Sequence, residues 1–425
     1  MNRRDFLRHA FSGIAGSAFL AESAKASILK KAEPLARSIT AFDETEAFWE
    51  VVKSSFAFDP GLYYFNNASL GPSPEFVIDA TEKFRRTLDS FPSKYMWGGW
   101  NAEKESVREK AAEMTGVSPE EIALIHNTTE GMNLIASSME LVPGDEVILA
   151  DHEHPSGTIP WQYWQESKGI KLARPKLPIL PRTPGELVDV YRNAITSRTK
   201  VISLCHMVNT NGMILPVREV SEMAHSRNIL VAVDGAQSAG MFRFDLHEMG
   251  CDFYAASSHK WMFSPKGVGI FYAKEDARTY LKPLIVASGY ETRTIRRFEN
   301  YNTRNLPEVL GLGSAIDFHN LIGPERKERR IVQLKDYFRD ALSEKDYIKI
   351  KTPDDNRLSC GIMTVEIEGH DVREVETKLA DRYHINCRPM NSHGLNGLRI
   401  SLSVFNTLKD VDYLAAALDE IHSGR

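Results

Sequence analysis

The sequence is poor in cysteine: four in 425 residues, Cys205, Cys251, Cys360 and Cys387. None stands in a CxxC pair or at a metal-ligand spacing from a histidine, so no metal site is expected and the thiols read as buried and free. Basic charge is not in excess either. Lys and Arg total 52 against 57 Asp and Glu, a net charge of -5, which leaves no footprint for nucleic acid and points to a small-molecule partner. There is no internal repeat and no low-complexity tract. The N-terminal apolar run, Phe11 to Ala21, is too short and too glycine-rich to span a bilayer, so no stable membrane anchor is expected. The 42% of hydrophobic residues suffices for a large core, and the length suits one large domain plus a smaller one.

The first 26 residues, MNRRDFLRHAFSGIAGSAFLAESAKA, have a basic start, an apolar middle and a small-x-small end at Ala24-Lys25-Ala26. Asn2-Arg3-Arg4-Asp5-Phe6-Leu7-Arg8 resembles the twin-arginine export signal, with Asn2 where that signal prefers Ser and Arg8 where it prefers Lys. The resemblance implies cleavage near Ala26, the twin-arginine export machinery as a partner, and a periplasmic or exported location. A polar, mobile lead-in is expected over 27–58.

Beyond Phe58, short β-rich runs alternate with amphipathic helical stretches, the pattern of an α/β fold with a mostly parallel sheet. Strands are expected at Glu121 to Ile125, Glu146 to Ala150, Lys200 to His206, Ile229 to Val233 and Asp252 to Ala256. A helix is expected from Glu130 to Met139, and VREVSEMAHSRN is a helix joining two strands of a βαβ unit. Thr128, Thr129, His154, Asn209, Asp234 and Lys260 then fall at the carboxyl edge of the sheet, where open α/β sheets bind ligands.

Asp234 ends the apolar strand of VAVDGAQSAG, either as a helix cap or as an electrostatic partner for something bound above the sheet. Lys260 follows 26 residues later, in AASSHKWMFSPKGVG. A lysine for imine formation and a carboxylate that keeps a heteroaromatic nitrogen protonated are what pyridoxal 5'-phosphate needs. HNTTEGMN places the hydroxyls of Thr128 and Thr129 at a predicted helix start, where the dipole favours a phosphate; without a ligand it reads as an ordinary N-cap. Ser257 and His259 could add donors to the same phosphate.

DHEHPSGTIPWQ, VNTNG, VDGAQSAG, SSHKWMFSPKGVG and RISLSVFNT, in this order and spacing, resemble the class V aminotransferase superfamily from about Gly61 to the C-terminus. The resemblance implies fold type I of the pyridoxal-phosphate enzymes. That is a large domain (59–310) with a mostly parallel seven-stranded sheet between helices, followed by a smaller α+β domain (311–425). It also implies a homodimer with active sites at the subunit interface. By position it makes Lys260 the covalent anchor, Asp234 the partner of the ring nitrogen, Gln237 a partner of the phenolic oxygen with Asn209 beside it, and His154 the imidazole stacked on the ring. His152 is the nearby competitor for that last role. Thr128, Thr129, Ser257 and His259 are left to hold the phosphate. Thr303, in Asn302-Thr303-Arg304-Asn305, would reach the neighbouring subunit's phosphate, although Asn302 replaces the glycine of the family's segment. Arg399 would clamp the substrate carboxylate, with Asn67 and Ser69 of YYFNNASLGPSP nearby.

The reaction expected is proton transfer at Cα of an amino acid or an amino-acid-derived metabolite. The family's desulfurases carry a nucleophilic cysteine shortly before the carboxylate-binding arginine, and RPMNSHGLNGL, Arg388 to Leu398, has none. The resemblance is nearer the isopenicillin N epimerase-like branch, which implies transamination or epimerisation. The alternatives are C–S lyase or desulfurase-like activity, or the exported tailoring of a siderophore or peptide side chain.

Overall fold

The computed structural model describes residues 44–424. The export signal read at 1–26 lies outside the described residues, as does the first part of the lead-in. The described end of that lead-in corrects the expectation of a mobile stretch. Glu46–Lys53 is a helix that buries Phe48, Trp49 and Val52, and Lys53 Nζ reaches Asp410 Oδ2 at 2.7 Å. AFWEVV carries one apolar helical face, which docks the segment on the body of the protein.

Seven strands form the main sheet: β1 (Ile122–Ile125), β2 (Glu146–Ile148), β3 (Lys171–Ala173), β4 (Thr199–Cys205), β5 (Leu230–Asp234), β6 (Phe253–Ser257) and β7 (Gly269–Ala273). Their order is β1-β7-β6-β5-β4-β2-β3, and β7 alone runs against its neighbours. Every residue of β1, β6 and β7 is buried. Such uninterrupted apolar runs belong to a sheet covered on both faces. The helix after β1 is Thr128–Ser138, two residues longer at its start than expected. Asn127 caps it, its side chain accepting the Glu130 N–H at 3.0 Å.

Register places the functional edge. Cys205 of β4 lies opposite Asp234 of β5, and Asp234 lies opposite Ala255 of β6, so Ser257 and the loop after it project beyond them.

A second, antiparallel sheet has four strands, β8 (Ile348–Ile350), β9 (Ile362–Ile367), β10 (Arg388–Met390) and β11 (Gly397–Ser401), in the order β10-β11-β9-β8. It shares its own core with the helices Val372–Tyr383 and Leu408–His422, around Leu379, Ile400 and Leu414. Tyr63–Tyr64 pairs with Ile385–Asn386, and Asn66 bridges to Ser401. These pairings lay the segment carrying Asn66, Asn67 and Ser69 between the two sheets.

The helix Leu306–Ile322 runs through position 310, where the sequence reading divides the chain. A Cβ on its Gly311 would sit 2.4 Å from Thr81 Oγ1 and 2.6 Å from Pro265 Cγ. The glycine of GLGSAI thus admits the close approach of the helix Glu75–Ser90 and of the loop that carries Lys260. Among the described residues no helix is long and apolar enough to cross a membrane.

Candidate active site

Asp234 is the last residue of β5 and is buried. Its Oδ1 accepts the Ala236 N–H at 2.9 Å, whereas Oδ2, equally sealed from solvent, has no hydrogen-bond partner. An orphaned buried carboxylate oxygen is costly, and a ligand atom that donates to it would relieve that cost. Burial pushes the Asp234 carboxyl up, while the Ala236 N–H and the charges of Lys260 and His154 pull it back down.

Lys260 lies beyond β6, close enough for its charge to act on Asp234. Burial brings its amine down to about 8; Asp234 opposes that shift, and Arg399 and Arg388 reinforce it. The loop holding Lys260 is fixed from several sides. The Trp261 indole donates to Gln237 Oε1 at 2.9 Å, and Lys327 Nζ donates to the Trp261 carbonyl while lying 4.2 Å over the Phe263 ring. Phe263 takes φ of 58°, a left-handed conformation held by the aromatic rings of Phe56 and Phe405 around it. A Cβ on Gly71 would lie 1.9 Å from the Lys260 carbonyl oxygen, so only glycine lets the N-terminal segment close over this loop. Lys266, the second lysine of the motif, is exposed and donates to Ser73 Oγ at 3.3 Å.

A cluster of hydroxyls is assembled from a strand end and a helix start. Ser257 Oγ accepts the Thr128 N–H at 2.9 Å and lies 2.9 Å from Thr128 Oγ1. Thr129 Oγ1 donates to Ser156 Oγ at 2.9 Å at the rim. His259 Nδ1 is buried without a partner, and burial with two lysine charges brings the ring down to about 4, leaving it neutral. A Cβ on Gly131 would sit 2.5 Å from Ala255 Cβ. The glycine in TTEGMN therefore lets this helix lie against β6 and bring its N-terminus to Ser257.

Arg399 of β11 is buried and donates to Asn209 O at 3.1 Å, Asn66 Oδ1 at 3.1 Å and Ser69 Oγ at 2.6 Å. Among the described residues no carboxylate bonds to it. Burial and the neighbouring Arg388 both make its cation costly, and an anion from outside would relieve that cost. Asn67 donates to the Lys260 carbonyl at 3.5 Å, and its Oδ1 is buried and unpartnered.

His154 caps the helix Pro155–Lys168, its Nδ1 accepting the Ser156 N–H at 3.2 Å, and its ring feels the charges of Asp234, Lys260, Arg388 and Arg399. His152 is engaged elsewhere, 2.9 Å from Thr210 Oγ1 and against the His393 ring. Gln237 also donates to Ala68 O at 2.9 Å, which with the indole fixes its amide orientation. Asn209 enters through its backbone carbonyl, on the Arg399 side.

Thr303 is exposed and, among the described residues, nothing joins it to Lys260 within one chain. Its neighbour Asn302 takes φ of 57°, which explains how asparagine can stand where the family's segment has glycine.

Three participants escaped sequence reading. Asn66 shares Ser69 and Arg399, and Arg388 approaches Ser69 Oγ at 3.5 Å. Glu153 lies buried beside Asp234. Its only signal was its place directly before His154.

A carboxylate oxygen without a donor, a desolvated lysine, hydroxyls at a helix start and a flat imidazole form a set that fits pyridoxal 5'-phosphate. The profile of the aminotransferase class-V family matches residues 62–414. The isopenicillin N epimerase of Streptomyces clavuligerus is 31% identical over 392 residues, 88% of this chain and 98% of that protein. A probable cysteine desulfurase of Halalkalibacterium halodurans is 31% identical over 387 residues, covering 84% and 93%. The solved cysteine desulfurase CsdA of Escherichia coli has a TM-score of 0.76 at 25% identity, covering 89% of this chain and 98% of that one. C-DES, solved with glycine covalently linked to its PLP cofactor, has a TM-score of 0.78 at 22% identity, covering 86% and 98%. The chain belongs to the class-V aminotransferase family and is an enzyme of that family's fold.

Proposed function

We propose that the chain is a pyridoxal 5'-phosphate-dependent enzyme that moves the Cα proton of an amino acid or an amino-acid-derived metabolite, as an epimerase or an aminotransferase. The observation that carries this reading is the half-buried Lys260, its amine brought down to about 8 by desolvation, within electrostatic reach of an Asp234 carboxyl whose Oδ2 lacks a partner. When bound, the cofactor supplies an electron sink for the charge left at Cα. Arg399 holds the substrate carboxylate bidentately, with Ser69 and Asn66 fixing its guanidinium plane. Lys260, whose amine burial brings down to about 8, is unprotonated in part at neutral pH and takes the Cα proton; inversion needs a proton returned to the opposite face, and amino transfer needs it delivered away from Cα. Asp234 keeps the ring nitrogen protonated, and His154 covers the ring and excludes water.

The sequence argues against persulfide chemistry, which stays the alternative. The segment 391–396 has no cysteine, and Cys387 is buried between β10 and the strand before it, where burial pushes its thiol up. The decisive experiment incubates the holoenzyme with a panel of amino acids in deuterated water. Cα deuteration with inversion and no keto acid identifies an epimerase, and stoichiometric keto acid with the amino group passed to an acceptor and no free ammonia identifies an aminotransferase. Sulfide or thiol release together with ammonia and a keto acid would overturn the reading in favour of C–S lysis.

Arg399→Lys tests the carboxylate clamp. Losing one of two charge-assisted hydrogen bonds, at about 1.5–3 kcal/mol, raises KM about tenfold to a hundredfold and leaves kcat less affected. An unchanged KM would remove Arg399 from the substrate site.

The same proposal places the enzyme outside the cytoplasm, exported through the twin-arginine route, and makes it a homodimer in which Thr303 serves the neighbouring subunit's phosphate. The resemblance of residues 2–8 to the export signal supports the first. Exposed Trp97, beside a cleft lined by Lys104, Asn300 and Asn302, supports the second. Periplasmic protein should begin near Ser27, and sedimentation should give twice the chain mass; an intact Met1 or a monomer counts against each in turn.

A further inference from the structure

Glu153 is buried in the turn before the helix Pro155–Lys168, and its Oε1 has no hydrogen-bond partner. The point where a Cβ on Gly157 would sit lies 3.6 Å from Asp234 Oδ2 and 3.9 Å from Glu153 Oε2. Gly157 therefore leaves the space between two sealed carboxyl groups open. Cys205, opposite Asp234 in the sheet register, offers Glu153 its backbone N–H and its thiol. The groups facing Glu153 are Asp234 from β5, Cys205 from β4, Tyr191 from the helix Pro184–Ala194, and Arg174 after β3, the last the weakest influence. None of them is a cation bonded to it.

Two carboxylates in one dry pocket do not both ionise; the better-solvated one takes the charge and the other keeps its proton. Asp234 has the Ala236 N–H, Lys260 and His154 to stabilise its anion. Glu153 has only the Cys205 groups and a distant arginine. We propose that Glu153 is a positioning residue behind Asp234, a neutral carboxylic acid that leaves Asp234 as the single anion beneath the cofactor's ring nitrogen. The inference rests on Asp234 facing that nitrogen. Burial, with Asp234 adding to it, pushes the Glu153 carboxyl up to about 8, so its proton leaves at mildly alkaline pH and adds a second negative charge there. That added charge favours protonated forms of the bound cofactor, so its visible absorption should titrate in two overlapping steps.

The test compares wild type with Glu153→Gln and Glu153→Asp, all carrying isotope-labelled glutamate, with and without pyridoxal phosphate. Wild type should show the infrared carbonyl band of a protonated acid at neutral pH, lost with a midpoint near 8. Glu153→Gln, a neutral isostere, should lack that band. With cofactor bound, its visible absorption should titrate in one step, matching wild type below neutrality and departing from it above. Glu153→Asp should restore the second step. Absence of the acid band in wild type, or superimposable titrations of wild type and Glu153→Gln, would overturn the proposal. If no form takes up cofactor, the cofactor reading fails, and the infrared comparison without cofactor still decides the state of Glu153.

Discussion

Lys260→Ala is expected to abolish turnover, by at least about 10⁴-fold, because in the proposed reaction one substitution removes both the covalent anchor and the proton-transfer base. Borohydride reduction followed by peptide mass analysis should find the cofactor fixed to Lys260 in wild type and to no residue in the variant. Lys260→Arg should not rescue, since a guanidinium stays protonated at working pH. A small primary amine in the buffer should restore part of the proton transfer, since the pocket that desolvates Lys260 stays in place. The fold should not suffer. Burial brings the Lys260 amine down to about 8 in the folded chain against 10.5 for a free lysine side chain, so between these values the unfolded chain binds more protons and stability rises with pH. The variant should lack that rise when cofactor-free proteins are compared by denaturant melts at pH 8 and above. Retained activity, or a cofactor adduct elsewhere, would move the chemistry off this residue.

How much of this was legible beforehand depended on the scale of the signal. Five strands of the main sheet could be read because strands buried on both faces are short apolar runs, whereas Lys171–Ala173, partly exposed at the sheet edge, and Gly269–Ala273 were not located. Asp234 and Lys260 could be placed because each stands at or just beyond the end of such a run. Helix starts were less legible: Thr128 belongs to the helix only because Asn127 bends its side chain back onto the Glu130 N–H. The helix Glu46–Lys53 was hidden because its apolar face spans barely two turns within a charged stretch. Glu153, Asn66 and Arg388 lie inside legible segments but carry no pattern of their own that marks a role. Their roles come from pairing between distant elements, as when the bridge from Asn66 to Ser401 brings Ser69 to Arg399. The glycines mark a middle case. Gly71 and Gly131 sat in plain view, but what makes them necessary is a backbone carbonyl and a methyl group that folding brings within 2.5 Å of their missing side chains.

Asp234→Asn should lower kcat by about 10²–10³-fold, the scale of losing one preorganised electrostatic partner from a dry site. The substitution is isosteric, and the amide oxygen can still accept the Ala236 N–H, so the strand end should hold its shape. What disappears is the negative charge behind Oδ2, and with it the reason for a ring nitrogen to stay protonated. Cofactor should still bind, because Ser257, Thr128 and the helix start are untouched, but its visible spectrum should change with the nitrogen's charge. The sign extends to Glu153, whose carboxyl Asp234 helps push up to about 8; in the variant its midpoint should fall, because burial acts alone. Asp234→Ala supplies the discriminating case. It opens room at the ring nitrogen, and an analogue of the cofactor methylated at that nitrogen carries a permanent positive charge that needs no carboxylate to maintain it. That analogue should recover activity in Asp234→Ala and gain nothing over the natural cofactor in wild type. Equal activity of the two cofactors in Asp234→Ala would mean that Asp234 serves only to hold the strand end, and the electrostatic role assigned to it would be wrong.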